Sequence, residues 1–116
     1  MAEISGDKYS IISDEATATV TFKGSLRLGG PGEYKPIADL LSDLADQEPE
    51  MITLDLSELE FLNSSGISTL SKFVISLRKK RSTQAIILGA KNIPWQGKSL
   101  QNLQKLMPGL KLEMVD

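Results

Sequence analysis

The sequence contains no cysteine and no histidine. Without them neither a Ser-His-Asp nor a Cys-His nucleophilic mechanism can be assembled. An ordinary zinc site lacks its ligands as well, and no metal or cofactor is expected. The absence of thiols fits a cytoplasmic location. No run approaches the ~18 apolar residues that a membrane-spanning helix needs. The first residues, Met1-Ala2-Glu3-Ile4-Ser5-Gly6-Asp7, have neither the basic flank nor the apolar stretch of a secretory signal. A net charge of −2 gives no general attraction to nucleic acid or anionic membrane, so neither is expected as a partner. What is present is ordinary: 116 residues, 41% hydrophobic and 24% charged, suit one domain over 1–116 with a single core. Carboxylates, serines, lysines and backbone N–H groups remain for any chemistry.

Residues 8–13 read as a short strand, and Asp14-Glu15 as a turn. From Ala16 to Lys23 the sequence alternates, with Ala18, Val20 and Phe22 on one side and Thr17, Thr19 and Thr21 on the other. Period-two alternation predicts a strand with one buried face, paired with the first as a hairpin. Residues 24–33 hold Gly24, Gly29, Gly30, Pro31 and Gly32 and read as a loop. The period then changes: Tyr34, Ile37, Leu40, Leu41 and Leu44 form a helical stripe, with Pro36 in the first turn. Met51 to Leu56 is a short apolar strand, and Ser57 to Glu60 a polar stretch leading through Phe61-Leu62 to Asn63-Ser64-Ser65-Gly66. Ile67, Leu70, Phe73, Val74 and Leu77 mark a second helix, closed by the cations Arg78-Lys79-Lys80-Arg81 where the macrodipole favours them. Gln84 to Leu88 reads as a strand. A third helix carries Leu100, Leu103, Leu106 and Met107 up to Pro108-Gly109, and Leu110 to Val115 is a last strand. The order ββαβαβαβ predicts an α/β fold with a mixed, mostly parallel sheet of about five strands and about three helices. Ligand sites in such sheets lie beyond the carboxyl ends of the strands. The loop at 24–32 and the turn at 63–66 share that edge if the second strand runs parallel to the third.

The turn at 63–66 opens a helix, whose first N–H groups are unpaired and carry partial positive charge. Ser64 suits the N-cap, with Asn63 able to serve in its place. Gly66 allows another backbone or a partner side chain to come close. A phosphate on Ser64 would meet an anion-favouring helix end. The bland reading is a cap and a tight turn.

The wider pattern goes further. Residues 52–70, an apolar strand ending in Asp55-Leu56, a spacer with Phe61, then Asn63-Ser64-Ser65-Gly66 and an apolar helix, resemble the signature of STAS domains. That family includes bacterial anti-sigma-factor antagonists and sulfate-transporter tails. Val20 to Leu26 looks like its second strand and the Gly-x-Leu that follows. The resemblance implies a STAS fold and a non-enzymatic regulator. It binds a serine protein kinase that is also the anti-sigma factor, is phosphorylated at Ser64, and is reset by a cognate phosphatase. It also implies a partner surface of Asn63, Ser64, Ser65 and Gly66 with the bordering Gly24, Ser25, Arg27, Gly29 and Gly30. Homodimerisation is left open. Two positions depart from the pattern: Asn63 stands where the family has an acidic residue, and Arg27-Leu28-Gly29-Gly30 follows Leu26 where many members have an Asp. The chain reaches Asp116 without clear room for the family's usual final helix.

Other constellations are weaker. Asn92 to Ser99 approaches a P-loop, but Asn92 replaces its first glycine and Pro94 removes an N–H. A helix-leading loop with part-buried Trp95 is the simpler reading. The glycines at 29–32 could cradle phosphate but suit a flexible connection. Arg78 to Arg81 could touch acidic partners but suit a solvated helix cap. Asp55, Glu58 and Glu60 could meet a kinase's basic residues or simply line a loop. Trp95 and Tyr34 read as core or rim. Two alternatives to the phosphoswitch stand beside it: a constitutive interaction or scaffold subunit, and a small-molecule, nucleotide or lipid-binding module.

Overall fold

The computed structural model describes residues 2–115; Met1 and Asp116, the bounds of the expected domain, lie outside them. Six strands form one sheet in the order β1-β2-β3-β4-β5-β6. They are β1 (Ala2–Ser5), β2 (Tyr9–Asp14), β3 (Thr19–Leu26), β4 (Met51–Leu62), β5 (Gln84–Ala90) and β6 (Lys111–Val115), with helices α1 (Pro31–Asp46), α2 (Ser64–Lys80) and α3 (Gln96–Gln104). β1, β2 and β3 pair antiparallel; β3 to β6 pair parallel. Successive crossovers that all step the same way, each right-handed, place the three helices on one face. There α1 packs on α2 and α2 on α3.

The period-two and 3.6 patterns found the core. Val20, Phe22, Ile52, Leu54 and Ile87 from the sheet meet Tyr34, Ile37, Leu41, Leu70 and Leu77 from the helices, all buried. The sheet exceeds the expected five strands because β1 was not foreseen. It is a four-residue edge strand alternating half-buried Ala2 and Ile4 with exposed Glu3 and Ser5, too short for its period to register. The strand expected from Ala16 starts at Thr19, because residues 15–18 complete the turn and Ala18 is held at φ 51°.

The segment 24–33 is not one loop. β3 runs through Gly24 to Leu26, and α1 already begins at Pro31. Gly24 has φ 90°, and a Cβ there would run into the Lys8 carbonyl oxygen, so this glycine lets two strands approach. The strand expected to end at Leu56 is twice as long. Opposite β3, Thr21 pairs with Asp55 but Lys23 with Glu58, and Gly24 pairs with Leu59 but Ser25 with Phe61. Each shift adds one residue to β4, so the buried leucines fall at 54, 56, 59 and 62. Two β-bulges therefore broke the alternation that would have marked the strand. At the other end, α3 stops at Gln104, and Leu106 and Met107 sit in the turns that follow.

Candidate functional site

The parallel β3–β4 pair brings Leu26 beside Leu62, so the connections leaving these strands emerge together. Asn63 joins them. Its backbone N–H donates to the Leu26 carbonyl at 3.2 Å, and its side-chain Nδ2 donates to the Leu28 carbonyl at 2.8 Å. Its Oδ1 accepts from the Gly66 N–H at 3.0 Å and from the Tyr34 hydroxyl at 2.6 Å. Asn63, rather than Ser64, is therefore the N-cap of α2. One neutral amide ties α1, the segment after β3 and the start of α2 into a single unit. Burial pushes the Tyr34 phenol above its ordinary pKa, so at neutral pH it is a reliable donor.

With the cap taken by Asn63, Ser64 and Ser65 occupy the first two helical positions, and Ser64 is exposed. Oδ1 and the carbonyl of Asn63 take the N–H groups of Gly66 and Ile67. The N–H groups of Ser64 and Ser65 remain at the open end of the helix, where no intrahelical acceptor reaches. A group attached to Ser64 would therefore emerge into solvent beside partial positive charge.

The other expected site residues divide. Gly29 and Arg27 are exposed, and Gly30 and Ser25 half-buried, on the same edge. Arg27 lies over the Phe61 ring, 4.0 Å from its centroid, which holds the guanidinium on the rim. Ser25, Arg27 and Leu28 line a cleft of about 240 Å³ with Asp7, Lys8 and Tyr9. Gly30 caps α1 with φ 94° and no side-chain bond. Gly66 is buried, and a Cβ on it would run into Leu62 and lie 2.8 Å from the Tyr34 hydroxyl. Its smallness serves the chain's own packing, as does that of Gly24.

Tyr34 is the participant the sequence did not place. It sits 29 residues from Asn63, beyond any local pattern, and its position on the buried stripe of α1 gave no hint of its hydroxyl's target. The near-P-loop at 92–99 has another use. Gln96, fully buried, donates through Nε2 to the carbonyls of Leu56 (2.6 Å) and Leu59 (2.9 Å) and accepts from the Ala90 N–H at 2.7 Å. Trp95 Nε1 also donates to Leu59, at 3.3 Å. Among the described residues no group of three acidic, histidine or cysteine side chains could hold a metal, and no helix is long and apolar enough to cross a membrane.

The model of the STAS domain matches residues 33–100, which span α1 from its third residue, the Asn63 turn and the start of α3. This chain belongs to the STAS domain family. Comparison with curated proteins gives no match. Among solved structures, a chain of diguanylate cyclase SiaD in complex with its activator SiaC, from Pseudomonas aeruginosa, aligns with a TM-score of 0.75 at 13% identity, over 98% of this chain and 99% of that one. SiaC of the same organism aligns at 0.71 and 13%, over 100% and 98%. An anti-sigma factor antagonist from Mycobacterium paratuberculosis aligns at 0.65 and 19%, over 92% and 88%. At these identities the likeness is one of fold. In this STAS domain the Asn63 amide both accepts from the Gly66 N–H and donates to the Leu28 carbonyl, a pairing that an ionised carboxylate could not make.

Proposed function

We propose that this STAS domain is a non-enzymatic, cytoplasmic regulator of anti-sigma-factor-antagonist type, switched by phosphorylation of Ser64. The partner is a serine protein kinase that doubles as anti-sigma factor, and a phosphatase reverses the mark. The observation that carries this reading is the division of labour at the turn. Asn63 supplies the cap, so the Ser64 hydroxyl is exposed and spent on nothing else in the fold. A phosphate there adds roughly −1.5 to −2 charges and three acceptor oxygens. It would recast the surface formed with Ser65, Arg27 and Gly29 while leaving the Asn63 hydrogen bonds in place.

A second reading has its own support. The fold also matches SiaC, described as an activator of a diguanylate cyclase, so the bound partner need not be a sigma-factor regulator. The neutral Asn63 also removes a negative charge beside the acceptor hydroxyl, which favours a constitutive binding subunit. The experiment that separates these readings incubates the protein with cell extract and ATP and maps phosphate by intact mass and peptide sequencing. Phosphate on Ser64, together with loss of partner capture in Ser64→Asp, is the expected result. An unmodified Ser64 across growth conditions and undiminished capture by Ser64→Asp would leave the constitutive reading.

A further inference from the structure

At the far end of α2 lies a cleft of about 570 Å³, between the helix C-terminus, the start of β5 and the turn after α3. Its volume lies within the range of small-molecule sites. Three cations, Arg78, Lys79 and Arg81, line it, and no carboxylate does. The neighbouring Lys80 is paired with Asp46 at 3.2 Å. Arg78 donates Nη1 to the Leu106 carbonyl at 3.3 Å, which ties its guanidinium to the turn after α3. Arg81 holds a left-handed backbone, φ 60° and ψ −22°, at the helix C-cap. Glycine is the low-cost residue there; the arginine adds a guanidinium to the cleft instead.

Thr83 supplies the second observation. It also lines the cleft and is 0% exposed. Its hydroxyl is the one buried side-chain polar atom among the described residues that has no hydrogen-bond partner. Native proteins seldom leave such a group unmet, and an unseen water or ion is a common reason. Leu77 and Met107 give the same cleft an apolar wall.

We infer that this cleft binds a phosphate-bearing small molecule: Arg78, Lys79 and Arg81 take the phosphate oxygens, one of which gives Thr83 the partner it lacks. The apolar wall accepts the body of a nucleoside phosphate; free phosphate would use the charged part alone. Guanidinium groups suit phosphate because their N–H groups fork onto two oxygens. The site is separate from Ser64: α2 spans 17 residues, which at about 1.5 Å per residue is ~25 Å.

The test is thermal unfolding of the full chain at constant ionic strength with millimolar inorganic phosphate, pyrophosphate, ATP or an acidic glutamate-rich peptide. A ligand that binds only the native state must raise the melting temperature. ATP is expected to raise it most and phosphate least; an equal rise with phosphate assigns the site to the free ion. Arg81→Gly suits the backbone at this position, so the fold is kept while affinity falls about tenfold or more, the worth of one charged hydrogen bond. Thr83→Val is expected to raise the melting temperature of the free protein, by removing the unmet hydroxyl, and to shrink the rise with ligand. Ser64→Ala is expected to leave the response unchanged. No rise with any phosphate compound, an undiminished rise in Arg81→Gly, or a rise with the acidic peptide alone overturns the inference.

Discussion

Asn63 shows how one atom type decides a site. An aspartate in its place could still cap Gly66 and accept from Tyr34, and its charge would gain from the helix end. It could not donate to the Leu28 carbonyl, 2.8 Å from Nδ2, and would set oxygen against oxygen there. The lost bond and the new repulsion outweigh the dipole gain, so Asn63→Asp should cost about 1 kcal/mol. Denaturant unfolding measures this, and amide exchange at 28–30 should quicken; equal stability with unchanged exchange would count against the account. Tyr34→Phe removes the 2.6 Å bond and should cost ~1 kcal/mol. Its pH signature is separate. Burial raises the folded-state pKa of Tyr34 above the ordinary 10.0. Its stabilising contribution is therefore complete below pH 10 and is lost as pH rises through the folded value. In Tyr34→Phe the alkaline loss of stability should be shallower than in the parent; identical alkaline curves would show that Tyr34 does not carry it. The sequence revealed Asn63 as an oddity because it lies inside a local pattern. The bond from Tyr34 was illegible because it depends on which residue of α1 the fold delivers to the turn.

The long strand β4 carries the same lesson to the scale of elements. Its first half was legible because Ile52, Leu54 and Leu56 alternate; its second half was not, because two bulges space the next buried leucines by three. β5 pairs with β4 only as far as Asp55. Beyond that point the carbonyls of Leu56 and Leu59 have no strand to receive them, and the Gln96 amide takes both. A motif that looks like a phosphate cradle is thus explained as the chain's means of closing its sheet. Gln96→Leu keeps the volume but orphans the Leu56 carbonyl and the Ala90 N–H and weakens Leu59's share. Calorimetric or denaturant unfolding should show a loss of about 3 kcal/mol. A loss under ~1 kcal/mol would mean that water reaches these groups and the glutamine is dispensable.

The whole molecule follows from handedness. Because β3 to β6 advance in one direction with a helix between each pair, right-handed crossovers gather the helices on one face. The strand–helix alternation made this much of the fold legible, while side-chain links between distant segments stayed hidden. The arrangement also sets α2 across the molecule as a strut, with the Ser64 turn at one end and the cationic cleft at the other. The two ends share no hydrogen bond or ion pair among the described residues. Sites more than about 10 Å apart without common partners add within ~0.5 kcal/mol. A double-mutant cycle of Asn63→Asp with Arg81→Gly should therefore close within that margin. Arg81→Gly alone should stabilise by roughly 0.5–1 kcal/mol, since it relieves a left-handed non-glycine residue. A coupling above ~1 kcal/mol in denaturant unfolding would mean that α2 transmits strain along its length. Phosphorylation at Ser64 would then be sensed at the cleft rather than only at the surface around the turn.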